Sequence, residues 1–143
     1  MLTRYAILAD IVYAQEPGLD ADEFIDVLKR STLGERRPIN DFQRIQRMVM
    51  EADIMLCARD GAGLLIGISR AITDFCYCCY LSDLAVDEAW QGKGIGKELI
   101  RRTHEIAGPQ SMLLLLSAPK PMTYYPHIGM EKAENAFIIQ RKR

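Results

Sequence analysis

Residues 90–102 read "WQGKGIGKELIRR". Gly92, Gly94 and Gly96 alternate, and the chain then runs straight into an amphipathic helix pattern. Ile95, Leu99, Ile100, Thr103 and Ile106 fall on one side, while Lys97, Glu98, Arg101, Arg102 and Glu105 fall on the other. Gly108 and Pro109 end it. The preceding "FCYCCYLSDLAV", residues 75–86, reads as a strand. A glycine-rich turn from a strand into a helix presents unpaired backbone N–H groups at the positive end of the helix dipole. It therefore suits a phosphate or pyrophosphate.

Spacing separates the devices that use such a turn. A dinucleotide fingerprint needs G-x-G-x-x-G, but here the third glycine comes one residue early, and "LLLL" stands about twenty residues on, where an acid should meet the ribose. A P-loop needs G-x-x-x-x-G-K-[ST]; Gln91 stands five residues before Gly96, and Glu98 replaces the magnesium-binding hydroxyl. A purely structural turn would not call for three alternating glycines, each costing backbone entropy. What remains is Gln-x-x-Gly-x-Gly, formed by Gln91, Gly94 and Gly96.

Outward from this turn, the flanking segments build one unit. "YAILADI", residues 5–11, is the expected first strand. Pro17 and Gly18 break the chain, and Asp20 with Glu23 has the spacing of a capping box for a helix running to about Arg30. A breaker-rich loop, "STLGERRP", leads to a second helix capped at Asn40, with Phe42, Ile45, Met48, Val49 and Ala52 at helical spacing. "IMLCARD" and "LLIGISRAIT" read as a hairpin closed by Asp60, Gly61, Ala62 and Gly63. With residues 75–86 they give up to four antiparallel strands. After the helix, "MLLLL" (residues 112–116) reads as a strand covered on both faces and parallel to the one before. A last helical turn near "KPMTYYPHI" and a terminal strand "AFIIQRK" complete a mixed sheet flanked by helices, a mixed α/β (α+β) class.

Composition bounds the partners. The 143 residues match one domain, which buries about 70% of its unfolded surface. A formal net charge of -1 and a pI near 6.1 give no global field for nucleic acid. The N-terminal apolar stretch is too short for a signal-peptide core, and no run approaches a membrane span, so a cytoplasmic protein without membrane contact is expected. Cys76, Cys78 and Cys79 crowd together, but only Cys57, His104 and His127 could complete a zinc site at the wrong spacing. No metal is expected; these cysteines read as core packing within an interior strand.

The glycine motif resembles the acyl-CoA-binding signature of the GNAT N-acetyltransferase superfamily. "YLSDLAVDEAW" resembles that family's fourth strand, and "TYYPHIGME", with Tyr125 four residues before Gly129, resembles its late Tyr-x-x-x-Gly segment. The resemblance covers the whole chain and implies a single GNAT acyltransferase domain over residues 1–143. Its sheet would be mostly antiparallel, with central parallel strands that splay apart. It also implies acetyl-CoA as acyl donor and an amine as acceptor. The amides of Gln91, Gly92, Lys93, Gly94, Ile95, Gly96 and Lys97 would cradle the pyrophosphate. The backbones of Leu84, Ala85 and Val86 would pair with the pantetheine arm, with Ser117 and Ala118 on the opposite lip. The Leu84 N–H would polarise the thioester carbonyl, and Tyr125 would protonate the departing thiolate.

Tyr124 is the alternative acid, read first as a core aromatic. The base that takes the amine's proton is unassigned. Ser82 stands where diamine acetyltransferases carry a Glu, Asp83 turns to the other face unless a bulge re-aims it, and His127, Glu131 or a water chain are further candidates. In this family the acceptor is walled by the first two helices and their connection, here "RSTLGERRPINDFQR". Arg36 and Arg37 could meet an acidic substrate there or simply be solvated. The acceptor class stays open among small amines, amino acids, antibiotics and protein lysines. A non-catalytic acyl-CoA sensor or interaction protein is the alternative reading, and the apolar terminal strand could pair two subunits into a homodimer.

Overall fold

The computed structural model describes residues 10–119 and 123–143. In chain order come β1 (Val12–Gln15), α1 (Ala21–Arg30), a 3-10 turn (Leu33–Arg36), α2 (Phe42–Met50), β2 (Ile54–Arg59) and β3 (Leu65–Thr73). Then follow β4 (Cys78–Val86), a second 3-10 turn (Glu88–Trp90), α3 (Ile95–Ala107), β5 (Met112–Leu114) and the single turn α4 (Tyr124–His127). The sheet keeps chain order, β1-β2-β3-β4-β5. Its first four strands are antiparallel, and β5 runs parallel to β4, as a strand-helix-strand unit requires. This is the mixed, mostly antiparallel sheet flanked by helices that the sequence implied.

Local chemistry sets the element ends. Asp20 caps α1 by accepting from the Asp22 N–H at 3.2 Å. Glu23 does not close the capping box, because Arg59 Nη1 takes its carboxylate at 2.7 Å. Asp41, rather than Asn40, caps α2 by accepting from the Arg44 N–H at 3.1 Å. Residues 5–9 of the expected first strand lie outside the described residues; the described pairing begins at Val12, opposite Arg59.

Strand alternation sends side chains to both faces of the sheet. On one face Phe24, Val27, Leu28, Ile45 and Val49 of α1 and α2 meet Met55, Cys57, Leu65, Ile68 and Ala85. Across the sheet Ile95, Leu99 and Ala107 of α3 meet Ile54, Leu56, Ala58, Ile66 and Ala71. Full burial of one such large side chain contributes roughly 1.5–3 kcal/mol. Gly67 lets α3 close on β3, since a Cβ there would stand 3.1 Å from Leu99 Cδ1 and 3.3 Å from the Ala85 carbonyl. That contact fixes the start of α3 over the end of β4.

Three expectations are corrected. The cysteine run is not an interior strand throughout: Cys79 is buried, but Cys76 and Cys78 are exposed. The reason is Asp74, whose carboxylate accepts from the N–H groups of Cys76, Tyr77 and Cys78, turning residues 74–77 into a loop and starting β4 at Cys78. The apolar run at residues 112–116 is not covered on both faces, for Met112 is 67% exposed and Leu116 49%. The expected terminal strand is not formed either; residues 136–142 lack regular structure, and Phe137 and Ile139 are almost wholly exposed.

Candidate functional site

β4 and β5 pair only at Cys78, Cys79 and Tyr80, opposite Met112, Leu113 and Leu114. Beyond Tyr80 the two strands part, which frees the outer edge of β4. The Asp87 N–H donates to the Ile66 carbonyl of β3 at 2.8 Å. By alternation Ala85 also turns its backbone to β3, opposite Ile68, whereas Leu84 and Val86 turn theirs to the free edge. Gln91 Nε2 donates to the Val86 carbonyl there at 3.0 Å. The Leu84 N–H and carbonyl face the splay. Of the three residues expected to meet an extended ligand, Leu84 and Val86 are thus oriented for it, and Ala85 is not.

The glycine turn follows directly. Asp87 caps the 3-10 turn by accepting from the Ala89 N–H at 2.8 Å, and Arg30 Nη1 holds the same carboxylate at 2.5 Å. Gly92 (φ 75°) and Gly94 (φ 84°) are left-handed, and a Cβ at either would meet no protein atom within 4 Å. Among the described residues, the amides of Gly92, Lys93 and Gly94 donate to no backbone carbonyl. The amides of Ile95 and Gly96 belong to the first turn of α3, whose N–H groups have no intrahelical acceptor. The result is a string of free donors at the positive end of a helix of 13 residues, with open space in front of it.

Tyr124 closes one side of this turn. Its hydroxyl lies 3.1 Å from where a Cβ on Gly96 would stand. Burial raises its pKa, and the Lys97 N–H, a hydrogen-bond donor to the phenol, offsets part of that rise. Tyr125 is half-buried and meets Tyr124 edge-on, with centroids 5.2 Å apart and planes at 72°. Burial, and then the neighbouring Tyr124, raise its pKa as well. Both phenols are therefore proton donors at neutral pH. The side chain at the glycine turn is Tyr124, which sequence reasoning had assigned to packing. Ser117 and Ala118 follow β5 where the ladder has ended; extending the register would set Ala118 level with Leu84. The Ser117 hydroxyl donates to the Ala118 carbonyl at 2.7 Å.

The base candidates separate clearly. A register shift in β3 at Arg70 and Ala71 leaves Ser82 as the extra residue on β4, so a bulge does stand beside Asp83. Asp83 is fully buried, and its two oxygens accept from Arg37 Nε and Arg70 Nε. Both carboxylate oxygens are thus occupied by guanidinium groups. His127 and Glu131 are exposed. Arg36 is exposed, whereas Arg37 is half-buried and also donates to the Ser82 carbonyl at 2.8 Å. Sequence reasoning missed Arg70; the available signal was an arginine inside one apolar strand and an aspartate inside the next.

The profile of the Acetyltransferase (GNAT) domain matches residues 51–131, more than half of the chain. The chain belongs to the GNAT acetyltransferase family. Solved structures agree with this GNAT assignment in fold. A candidate acetyltransferase of Deinococcus radiodurans R1 is 26% identical and superposes with a TM-score of 0.75, covering 99% of this chain and 94% of the other. A GNAT family acetyltransferase of Streptococcus pneumoniae TIGR4 is 16% identical with a TM-score of 0.73, covering 92% and 99%. The aminoglycoside N-acetyltransferase AAC(6′)-Iy, solved with a CoA bisubstrate analogue, is 18% identical with a TM-score of 0.68, covering 93% and 98%. No curated protein matches this GNAT chain.

Proposed function

We propose that this GNAT acetyltransferase moves the acetyl group of acetyl-CoA onto a primary amine of a small molecule or protein by direct transfer. The observation that carries the proposal is a juxtaposition: the outward-turned backbone of Leu84 and Val86 leads straight into the free amides of Gly92, Lys93, Gly94, Ile95 and Gly96. An extended ligand with an anionic end fits that edge, and the open space over Gly92 and Gly94 fits a pyrophosphate.

In this reading the free amides from Gly92 to Gly96 hold the pyrophosphate, while those of Gln91 and Lys97, expected to join them, already donate to the Glu88 carbonyl at 3.4 Å and to the Tyr124 hydroxyl. Leu84 and Val86 pair with the pantetheine arm, and Ser117 and Ala118 form the opposite lip. Bound acetyl-CoA supplies an activated thioester. The Leu84 N–H donates to the developing oxyanion, an interaction typically worth about 3 kcal/mol. The amine nitrogen bonds to the acetyl carbon as the carbon–sulfur bond breaks. The amine gives a proton to solvent water, and the sulfur takes one from the Tyr125 hydroxyl.

Among the described residues no helix is long and apolar enough to cross a membrane, and all four cysteines are free. Thiol release from acetyl-CoA across a broad amine panel tests the activity. Amine-dependent release is expected; tight acetyl-CoA binding with no release for any amine would favour a non-catalytic acyl-CoA sensor.

A further inference from the structure

Asp83 is buried between two arginines, yet the cluster is not neutral. Arg37 and Arg70 share this one carboxylate, and among the described residues no second carboxylate pairs with either. Their remaining bonds go to neutral groups: Arg37 Nη2 to the Ser82 carbonyl at 2.8 Å, Arg37 Nη1 to the Arg36 carbonyl at 2.8 Å, and Arg70 Nη2 to the Ser82 hydroxyl at 3.1 Å. Two guanidinium groups and one carboxylate leave one positive charge uncompensated. The side chains of Arg37 and Arg70 are only 22% and 10% exposed, so water screens that charge poorly.

Its position is informative. Ser82 lies two residues past Tyr80, the last residue of β4 paired with β5. It also lies two residues before Leu84, a span of roughly 7 Å along a strand. The excess charge therefore stands at the fork of the splay, on the face covered by the connection between α1 and α2. We propose that the Arg37–Asp83–Arg70 cluster selects an acceptor that carries a carboxylate a short distance from its amine, and rejects polycationic amines. An anion there supplies the missing negative charge through charge-assisted bonds to guanidinium edges. The same field disfavours the ammonium form of the acceptor, which helps the amine shed its proton where no free carboxylate serves as base.

The inference rests on the acetyl-transfer reading, and the test separates the two. Thiol release from acetyl-CoA is measured with unmodified protein and matched acceptors that differ in one carboxylate: phenylalanine against phenethylamine, histidine against histamine, lysine against cadaverine, with sisomicin as a polycation. At least one acid is expected to exceed its decarboxylated partner by about tenfold or more in kcat/KM, the equivalent of one good charge-assisted contact. Arg37→Gln should raise KM for that acid and erase the preference while acetyl-CoA affinity, read by calorimetry, stays the same; Arg37→Lys should restore part of it. Should Arg37→Gln fail to fold, the matched pairs on the unmodified protein still decide. Equal or better turnover of the decarboxylated partners, a preference for sisomicin, or no carboxylate-dependent turnover or binding with CoA-saturated protein overturns the proposal alone. Failure to bind acetyl-CoA overturns the acetyl-transfer reading and this inference together.

Discussion

Thr103 and Ser69 share a hydrogen bond of 2.7 Å between their hydroxyl oxygens, and Ser69 must be the donor. The reason is that Thr103 spends its own proton on the Leu99 carbonyl at 2.7 Å. Both side chains are fully buried, and the bond joins α3 to β3, the contact that orients the glycine turn. Thr103→Val strands the Ser69 hydroxyl and should cost about 1–3 kcal/mol. Ser69→Ala leaves Thr103 with its Leu99 partner and should cost less. Denaturant unfolding of both variants checks the order, and an equal or reversed ranking would contradict the donor assignment.

Arg59 grips Glu16 through Nε and Nη2, each at 2.8 Å, and Glu23 through Nη1 at 2.7 Å, tying β1, β2 and α1 together. Hydrogen bonds from Arg59 hold Glu16 below the usual carboxylate range, and those from Arg101 and Arg102 bring Glu98 to about 2. A carboxyl whose pKa is depressed by folding stabilises the fold above its unfolded value and loses that contribution as pH falls through the folded value. The melting temperature should therefore be level above about pH 5 and fall between about pH 5 and about pH 2. Glu16→Gln should lower it at neutral pH and flatten part of the acid limb. A variant with an acid limb as steep as the parent's would remove Glu16 from this account.

Tyr125 offers a kinetic test. Burial keeps its phenol protonated at neutral pH, as a proton donor to the thiolate requires. Tyr125→Phe keeps the ring and its edge-on contact with Tyr124, so acetyl-CoA affinity should hold while kcat falls by at least about tenfold. Tyr124→Phe removes a hydroxyl that lies at Gly96 and should change turnover less than Tyr125→Phe does. Parental turnover in Tyr125→Phe would assign leaving-group protonation to water or the substrate ammonium.

The glycine turn was legible because its signals are local. Positive φ at Gly92 and Gly94 and the apolar stripe from Ile95 to Ala107 are properties of adjacent residues. So were the hairpin at residues 60–63 and the cap at Asp20. The Arg37–Asp83–Arg70 cluster was not legible, for it joins three segments and depends on a bulge that no periodicity announces. Cys78 was misplaced because three cysteines look apolar in sequence, whereas one carboxylate, that of Asp74, bends the chain there. The terminal strand failed for a related reason: alternation predicts how a segment would pair, not that it finds a partner.

The central claim, that acetyl-CoA lies along Leu84 and Val86 with its pyrophosphate over the glycine turn, is tested most directly by calorimetric titration of acetyl-CoA into the parent and Gly94→Val. Gly94 sits at φ 84° with open space before it, so valine there fills the room assigned to the pyrophosphate. The left-handed backbone also makes the substitution cost about 1–2 kcal/mol of stability, which a melting curve reads separately. The account predicts one site per chain in the parent and loss of measurable binding in a variant that remains folded. A folded Gly94→Val protein that binds acetyl-CoA with parental affinity would contradict it.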